Sequence, residues 1–223
     1  RIAFRTYGPA LQATGEQAFG YDIWTTYNTT EPVVEARYEG ELNPDMKAKI
    51  AELGKTDPKA AQELYRSVSY HVDHGNGLDC YKVGPTLGGG TTALMAGDTI
   101  IYPYCYATQE ILDNGPLRFT VKLVYNPLVV KGDSTIIETR IITLDAGSYC
   151  NKTVVSYTNL KETMPLAVGI VLHEPDGAIV ADAANGYMTY VDPTDNAGGD
   201  NGKIFVGAAF PTLVKEAKAV LFP

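Results

Sequence analysis

The chain has 223 residues, 45% of them apolar, which is enough for one large β domain or two small ones with a sizeable core. A formal charge of -8 argues against general nucleic-acid binding, which runs on Lys and Arg neutralising phosphates. No apolar run is long enough to span a bilayer, and the missing initial Met and signal-like stretch lead us to expect a processed protein or an excised fragment.

Residues 1–7 read as a strand, with Ile2, Phe4 and Thr6 alternating with Ala3 and Arg5 until Gly8-Pro9 breaks it. Residues 19–27, FGYDIWTTY, are aromatic and β-branched and read as a second strand. Side chains repeat every two residues in extended chain, so Asp22 and Trp24 share one face. An exposed Trp beside a carboxylate suits a sugar, whose C–H face stacks while its hydroxyls bond the acid. The alternative is a Trp packed in the core. Asn28-Thr29-Thr30 and Asn151-Lys152-Thr153 match the glycosylation pattern.

Asn43-Pro44 gives an N-cap with Pro at the first helical position, and helix formers follow over 46–53 until Gly54. Asp57-Pro58 repeats the signal ahead of 59–66. Residues 43–66 are therefore expected to be a helical insertion on a β scaffold, within a single domain spanning 1–223.

The stretch 70–90, YHVDHGNGLDCYKVGPTLGGG, concentrates His71, Asp73, His74, Asp79, Tyr81 and Lys82 among glycines that deny it a regular helix. It is either a polar loop bonded to itself or a functional site. His71, Asp73, His74 and Asp79 are the first-choice ligands if a divalent metal binds, although their spacing matches no zinc motif. The three cysteines, Cys80, Cys105 and Cys150, are an odd number, and no CxxC pair points to zinc or redox chemistry. Buried thiols are the default.

Strands are expected over 78–83, 91–95, 99–112, 117–125, 135–144, 153–159, 167–173, 178–182, 187–191 and 204–209. Turn chemistry separates them, as at Asp113-Asn114-Gly115-Pro116, Lys131-Gly132-Asp133, Asp145-Ala146-Gly147 and Pro175-Asp176-Gly177. Many strands joined by short turns predict a mainly β chain with the architecture of an antiparallel β-sandwich. In LRFTVKLVY one face carries Arg118, Thr120, Lys122 and Val124, the other Leu117, Phe119, Val121 and Leu123. Residues 192–202 read as a plain polar loop, and 212–222 fit either helix or strand.

RIAFRTYGPAL, YDIW, YHVDHGNGLDCYKVG, LGGG, NGPLRFTVKLVY and ITLDAGSY, in this order, resemble the uncharacterised family called domain of unknown function 4861. The resemblance covers most of the chain. That family is found chiefly in Gram-negative bacteria that degrade complex polysaccharides, often in clusters with glycoside hydrolases and lyases. The resemblance therefore implies carbohydrate processing in the periplasm or outside the cell. NGPLRFTVKLVY with ETRIITLDAGS is also similar to the galactose-mutarotase-like β-supersandwich. Family members usually extend beyond both ends of this chain, so we expect it to be incomplete as a catalytic unit. Mutarotases use a His acid with a Glu base, which no local motif here reproduces: His173 and Glu174 are neighbours and would point to opposite strand faces.

Three chemistries compete. A lyase or dehydratase acting on a uronic-acid oligosaccharide needs a base, an acid and a positive carboxylate clamp. His71 or His74 would be the base, Tyr81 the acid, and Arg118 or Lys82 the clamp. A glycoside hydrolase would use two of Asp22, Asp73 and Asp79. A non-catalytic carbohydrate-binding protein would need only aromatic and polar contacts. Asp22, Trp24, Asp79 and Lys82 are expected to contact the sugar in any of them, no organic cofactor is expected, and the sharpest expectation puts His71 and Arg118 in one cleft.

Overall fold

A computed structural model describes residues 1–27, 33–174, 177–194 and 201–210. Asn28-Thr29-Thr30, Pro175-Asp176, most of the 192–202 loop and the 212–222 segment lie outside the described residues. The described chain is mainly β, of the sandwich class expected, and its named strands all pair antiparallel, with one isolated parallel bridge between Tyr21 and Gly88.

β1 (Ile2–Arg5), β2 (Asp22–Thr26) and β3 (Gly77–Asp79) form an N-terminal sheet in that order. Its alternation splits the residues cleanly. Ile2, Phe4, Ile23 and Leu78 face a core with Cys80, Tyr81, Val83, Ile204 and Val206. Arg5, Asp22, Trp24 and Asp79 lie on the opposite face, because Arg5 pairs with Asp22 and Trp24 with Asp79 across the strands. Gly77 is required for the third strand: its φ is +106°, and a Cβ there would sit 2.0 Å from the Thr25 carbonyl oxygen.

One helix reaches the polar face, through Tyr38 on Arg5 and Trp24. α1 (Pro9–Thr14) follows β1 directly, and α2 (Val33–Leu42), α3 (Pro44–Thr56) and α4 (Pro58–Val68) lie between β2 and β3. The excursion is larger than residues 43–66, because α2 precedes it and α3 runs through Gly54 to Thr56. The two caps are as the sequence indicates. The Asn43 side chain accepts from the N–H groups of Asp45 and Met46, and Asp57 accepts from that of Ala60.

β4 (Gly89–Ala96), β5 (Thr99–Ile101), β6 (Tyr106–Asn114), β7 (Arg118–Tyr125), β8 (Leu128–Val130), β9 (Asp133–Asp145), β10 (Lys152–Thr158), β11 (Leu166–Ile170), β12 (Ile179–Asp182), β13 (Tyr187–Asp192) and β14 (Ile204–Ala209) complete the fold. The long strand expected over 99–112 is two strands in different sheets, β5 beside β4 and β6 beside β7. The largest sheet runs β10-β9-β7-β6, with β8 paired to β9; the others run β11-β4-β5 and β12-β13-β14.

Leu123, Tyr125 and Ile142 of the large sheet pack on Tyr21 and Phe4. Tyr21 ties three sheets together. Its N–H donates to Thr91 Oγ1 at 2.8 Å, its carbonyl accepts from Gly89, and its hydroxyl meets Thr153 Oγ1 at 2.9 Å. Beside it Arg140 and Glu138 form an ion pair, 1% and 0% exposed, with the guanidinium over the Tyr125 ring. Desolvation largely cancels the attraction of such a pair, so the stabilisation here comes from apolar burial, about 1.5–3 kcal/mol for each large side chain.

Candidate functional site

The polar face of the N-terminal sheet gathers more charge than any other buried region described. Asp22 is 1% exposed and Asp79 2%, and both accept from Nη2 of Arg5. Two bonds to one nitrogen hold the carboxylate oxygens within about 6 Å of each other. The Arg5 Nη1 donates to the Tyr38 hydroxyl at 2.5 Å, and the Tyr7 hydroxyl donates to Asp22 Oδ2 at 2.9 Å. Burial pulls the Arg5 guanidinium toward losing its proton, but Asp22 and then Asp79 outweigh it and hold the group charged.

Aromatic rings roof this cluster. Trp24 is buried, with its ring stacked on Tyr70 at 5.2 Å and tilted against Tyr38 at the same separation. His71 lies 4.3 Å from the Tyr70 ring. Tyr38 comes from α2 and Tyr70 from the end of the helical excursion, where Glu41 of α2 accepts from the Tyr70 N–H. Burial, then the Asp22 charge, keeps the Tyr7 phenol from ionising; burial does the same at Tyr38; burial and then Glu41 push Tyr70 up to about 12. At neutral pH these phenols keep their protons.

The backbone fixes His71. The Asp79 N–H donates to the Tyr70 carbonyl, and His71 Nδ1 lies 3.1 Å from the Asp79 carbonyl oxygen. A carbonyl only accepts, so Nδ1 carries a proton and Nε2 is the lone-pair nitrogen of the neutral ring.

Other residues expected at a site are placed elsewhere. Tyr81 is 2% exposed, and its hydroxyl donates to the Gly88 carbonyl within the core. Arg118 is exposed and forms a two-bond pair with Asp145 opposite it on β9. It stands at the far end of β7 from Tyr125, a rise of about 23 Å from the end that packs on Tyr21, and among the described residues shares no hydrogen-bond partner with His71. Trp24 is a shelf for Tyr70, not an exposed sugar platform. Lys82 is exposed, and its carbonyl accepts from His173. His74 Nε2 meets the Ser69 carbonyl. Asp73 caps the turn through the N–H groups of Gly75 and Gly77 and accepts from the Tyr27 hydroxyl. Burial would raise the Asp73 carboxyl, but these bonds outweigh it and hold it below the usual range.

The metal quartet is thus dispersed, and among the described residues no three His, Cys, Asp or Glu side chains gather as a cation would need. Sequence reasoning missed Arg5, Tyr7, Tyr38 and Tyr70. A signal for Arg5 was present: a strand neighbour that puts Asp22 on an inward face must also supply a cation.

Comparison with known proteins adds a family and little chemistry. The sequence matches the family described as Domain of unknown function (DUF4861) over residues 1–220, and the chain belongs to it. It is 26% identical over 197 residues to "Uncharacterized protein P7" of Formosa agariphila, a match that covers 85% of this chain and 43% of that protein. The chain thus spans less than half the length of that relative. No solved structure matches it.

Proposed function

We propose that this member of the DUF4861 family is the carbohydrate-recognising part of a polysaccharide-degrading protein that works outside the cytoplasm, and that its sugar seat is the Arg5 cluster beneath Tyr38, Tyr70 and His71. The observation that carries this reading is the convergence on Arg5 of two buried carboxylates, two phenol hydroxyls and a roof of aromatic rings. Sugars offer C–H faces to rings and hydroxyls that both donate and accept, which suits partly exposed Arg5, Tyr7, Tyr38 and Tyr70.

Charge decides between ligands. Asp22 and Asp79 leave the Arg5 cluster with a net charge of about -1, so it favours hydroxyl groups over a uronate carboxylate. The carboxylates lie close enough for a retaining glycosidase pair, but Arg5 sits between them and both are nearly closed to solvent. They anchor Arg5. Elimination from a uronic-acid sugar is the second reading, favoured by His71, whose Nε2 is oriented as a base by the Asp79 carbonyl.

Calorimetric titration of the chain with neutral and uronic-acid oligosaccharides tests the reading. Binding is expected to weaken about tenfold on Tyr70→Ala, equivalent to about 1.4 kcal/mol. The same mixtures are followed for the ultraviolet absorbance of a new C=C bond, which would mark elimination. His71→Ala would then lower turnover by about 10²–10⁴-fold. No binding to any oligosaccharide, or binding indifferent to Tyr70→Ala and His71→Ala, sinks the proposed seat.

A further inference from the structure

Another buried carboxylate lies outside that seat. Asp192, at the end of β13, is fully buried. One of its oxygens accepts from the Thr194 N–H at 2.7 Å, and the other lies 2.5 Å from Nδ1 of His173. His173 belongs to the connection between β11 and β12. Its Nε2 lies 2.7 Å from the carbonyl oxygen of Lys82, in the connection that follows β3. One imidazole therefore joins three separate segments.

The partners determine how many protons the pair holds. A backbone carbonyl only accepts, so Nε2 must donate to Lys82. A carboxylate likewise only accepts, so the contact with Asp192 requires a second proton, on Nδ1 or on the carboxyl. Either way the ring and carboxyl together keep one proton more than a neutral histidine beside an ionised aspartate. Among the described residues the following groups face the pair. From the connection after β3 come the Tyr81 ring, edge-on to the imidazole at 5.6 Å, and the Lys82 carbonyl, with the Lys82 side chain exposed. From β13 come Asp192 and Tyr190, whose hydroxyl accepts from the N–H of Glu174. The Glu174 side chain itself is exposed.

We propose that His173 and Asp192 form a proton-operated clasp that holds the β11–β12 connection and β13 to the segment following β3. When the clasp opens, histidine reverts to ordinary behaviour and releases the extra proton above about pH 6.5. The closed form retains it. The clasp's contribution is therefore fully present just below that pH and is lost as the pH rises through the value at which the closed pair deprotonates. The idea is independent of the sugar seat, which shares no residue with the clasp.

Nitrogen-15 spectra of the histidine rings in the intact chain test it at about pH 7.5, where an ordinary histidine is mostly neutral. The His173 signal is the one retained in both His71→Gln and His74→Gln. It is expected to show two ring nitrogens that each carry hydrogen or share one with a carboxyl, and this signature is expected to vanish in Asp192→Asn. The gap in melting temperature between wild type and His173→Gln should also shrink as pH rises from about 6 to 9. A His173 ring with an ordinary bare nitrogen at pH 7.5, or a melting gap that does not change with pH, overturns the clasp.

Discussion

Removing Arg5 would leave Asp22 and Asp79 as neighbouring buried carboxylates with no cation between them. Arg5→Ala is expected to destabilise the fold by about 3–5 kcal/mol, the usual consequence of breaking a buried pair from one side, read from urea unfolding. Arg118→Ala should leave the urea midpoint unchanged, because its pair with Asp145 is open to solvent on both sides. A midpoint shift as large as that of Arg5→Ala would contradict this contrast. High pH provides a further test. Tyr70 is held up to about 12 in the folded chain against about 10 when unfolded. Below pH 10 this difference stabilises the fold fully; as pH rises through 10 to 12 the unfolded chain ionises first and stability falls. Phenolate absorbance should therefore rise in two stages, exposed tyrosines first and the Tyr7, Tyr38 and Tyr70 group only with unfolding. A single stage near pH 10 in a still-folded chain would contradict the roofed cluster. At this scale the sequence was readable where strand period decides. Asp22 and Trp24 do share a face, and Arg118 and Lys122 do point the same way. Which face a helix would later cover, and which end of β7 would meet the N-terminal sheet, are tertiary facts that a period of two cannot carry.

Asn43 and Asp57 show how much of an element a single cap can announce. Each is followed by Pro and accepts from the first-turn N–H groups, so Asn43→Ala and Asp57→Ala should each cost about 1 kcal/mol and lower the helical circular dichroism signal. α2 announced nothing comparable. Its sequence VVEARYEGEL has no apolar stripe and contains Gly40. It is held by what it reaches, Tyr38 to Arg5 and Glu41 to the Tyr70 N–H. Because α2 delivers Tyr38, one ring of the aromatic roof and a partner of Arg5, missing it left the candidate site incomplete. β3 was legible as extended chain but not as so short a strand, since the Gly77 contact that admits it depends on Thr25 in β2. Gly77→Ala is expected to cost more than either cap and to perturb the near-ultraviolet dichroism of Trp24, the neighbour of Asp79 across that pairing. An unchanged Trp24 signal would show that β3 does not need the glycine.

The four antiparallel sheets of the described residues lead to a far-ultraviolet spectrum that should be dominated by strand, with a helical contribution from α2 to α4. The β class was legible because turn residues recur between short apolar runs. The division into four sheets was not, since strand order depends on which edges meet, and Pro103 between β5 and β6 is where one expected strand changes partners. Tyr21 has a consequence in time as well as in space. Its hydroxyl partner, Thr153, lies 132 residues further along the chain, and the partner of its N–H lies 70 further along. At a synthesis rate of about 5–20 residues per second, a nascent chain holds Tyr21 for about 7–26 s before Thr153 has even been made. During that interval the segment around β2 has its apolar side open, and the ribosome-bound chain should be captured by chaperones that recognise exposed hydrophobic strands. Release should come only after β10 emerges.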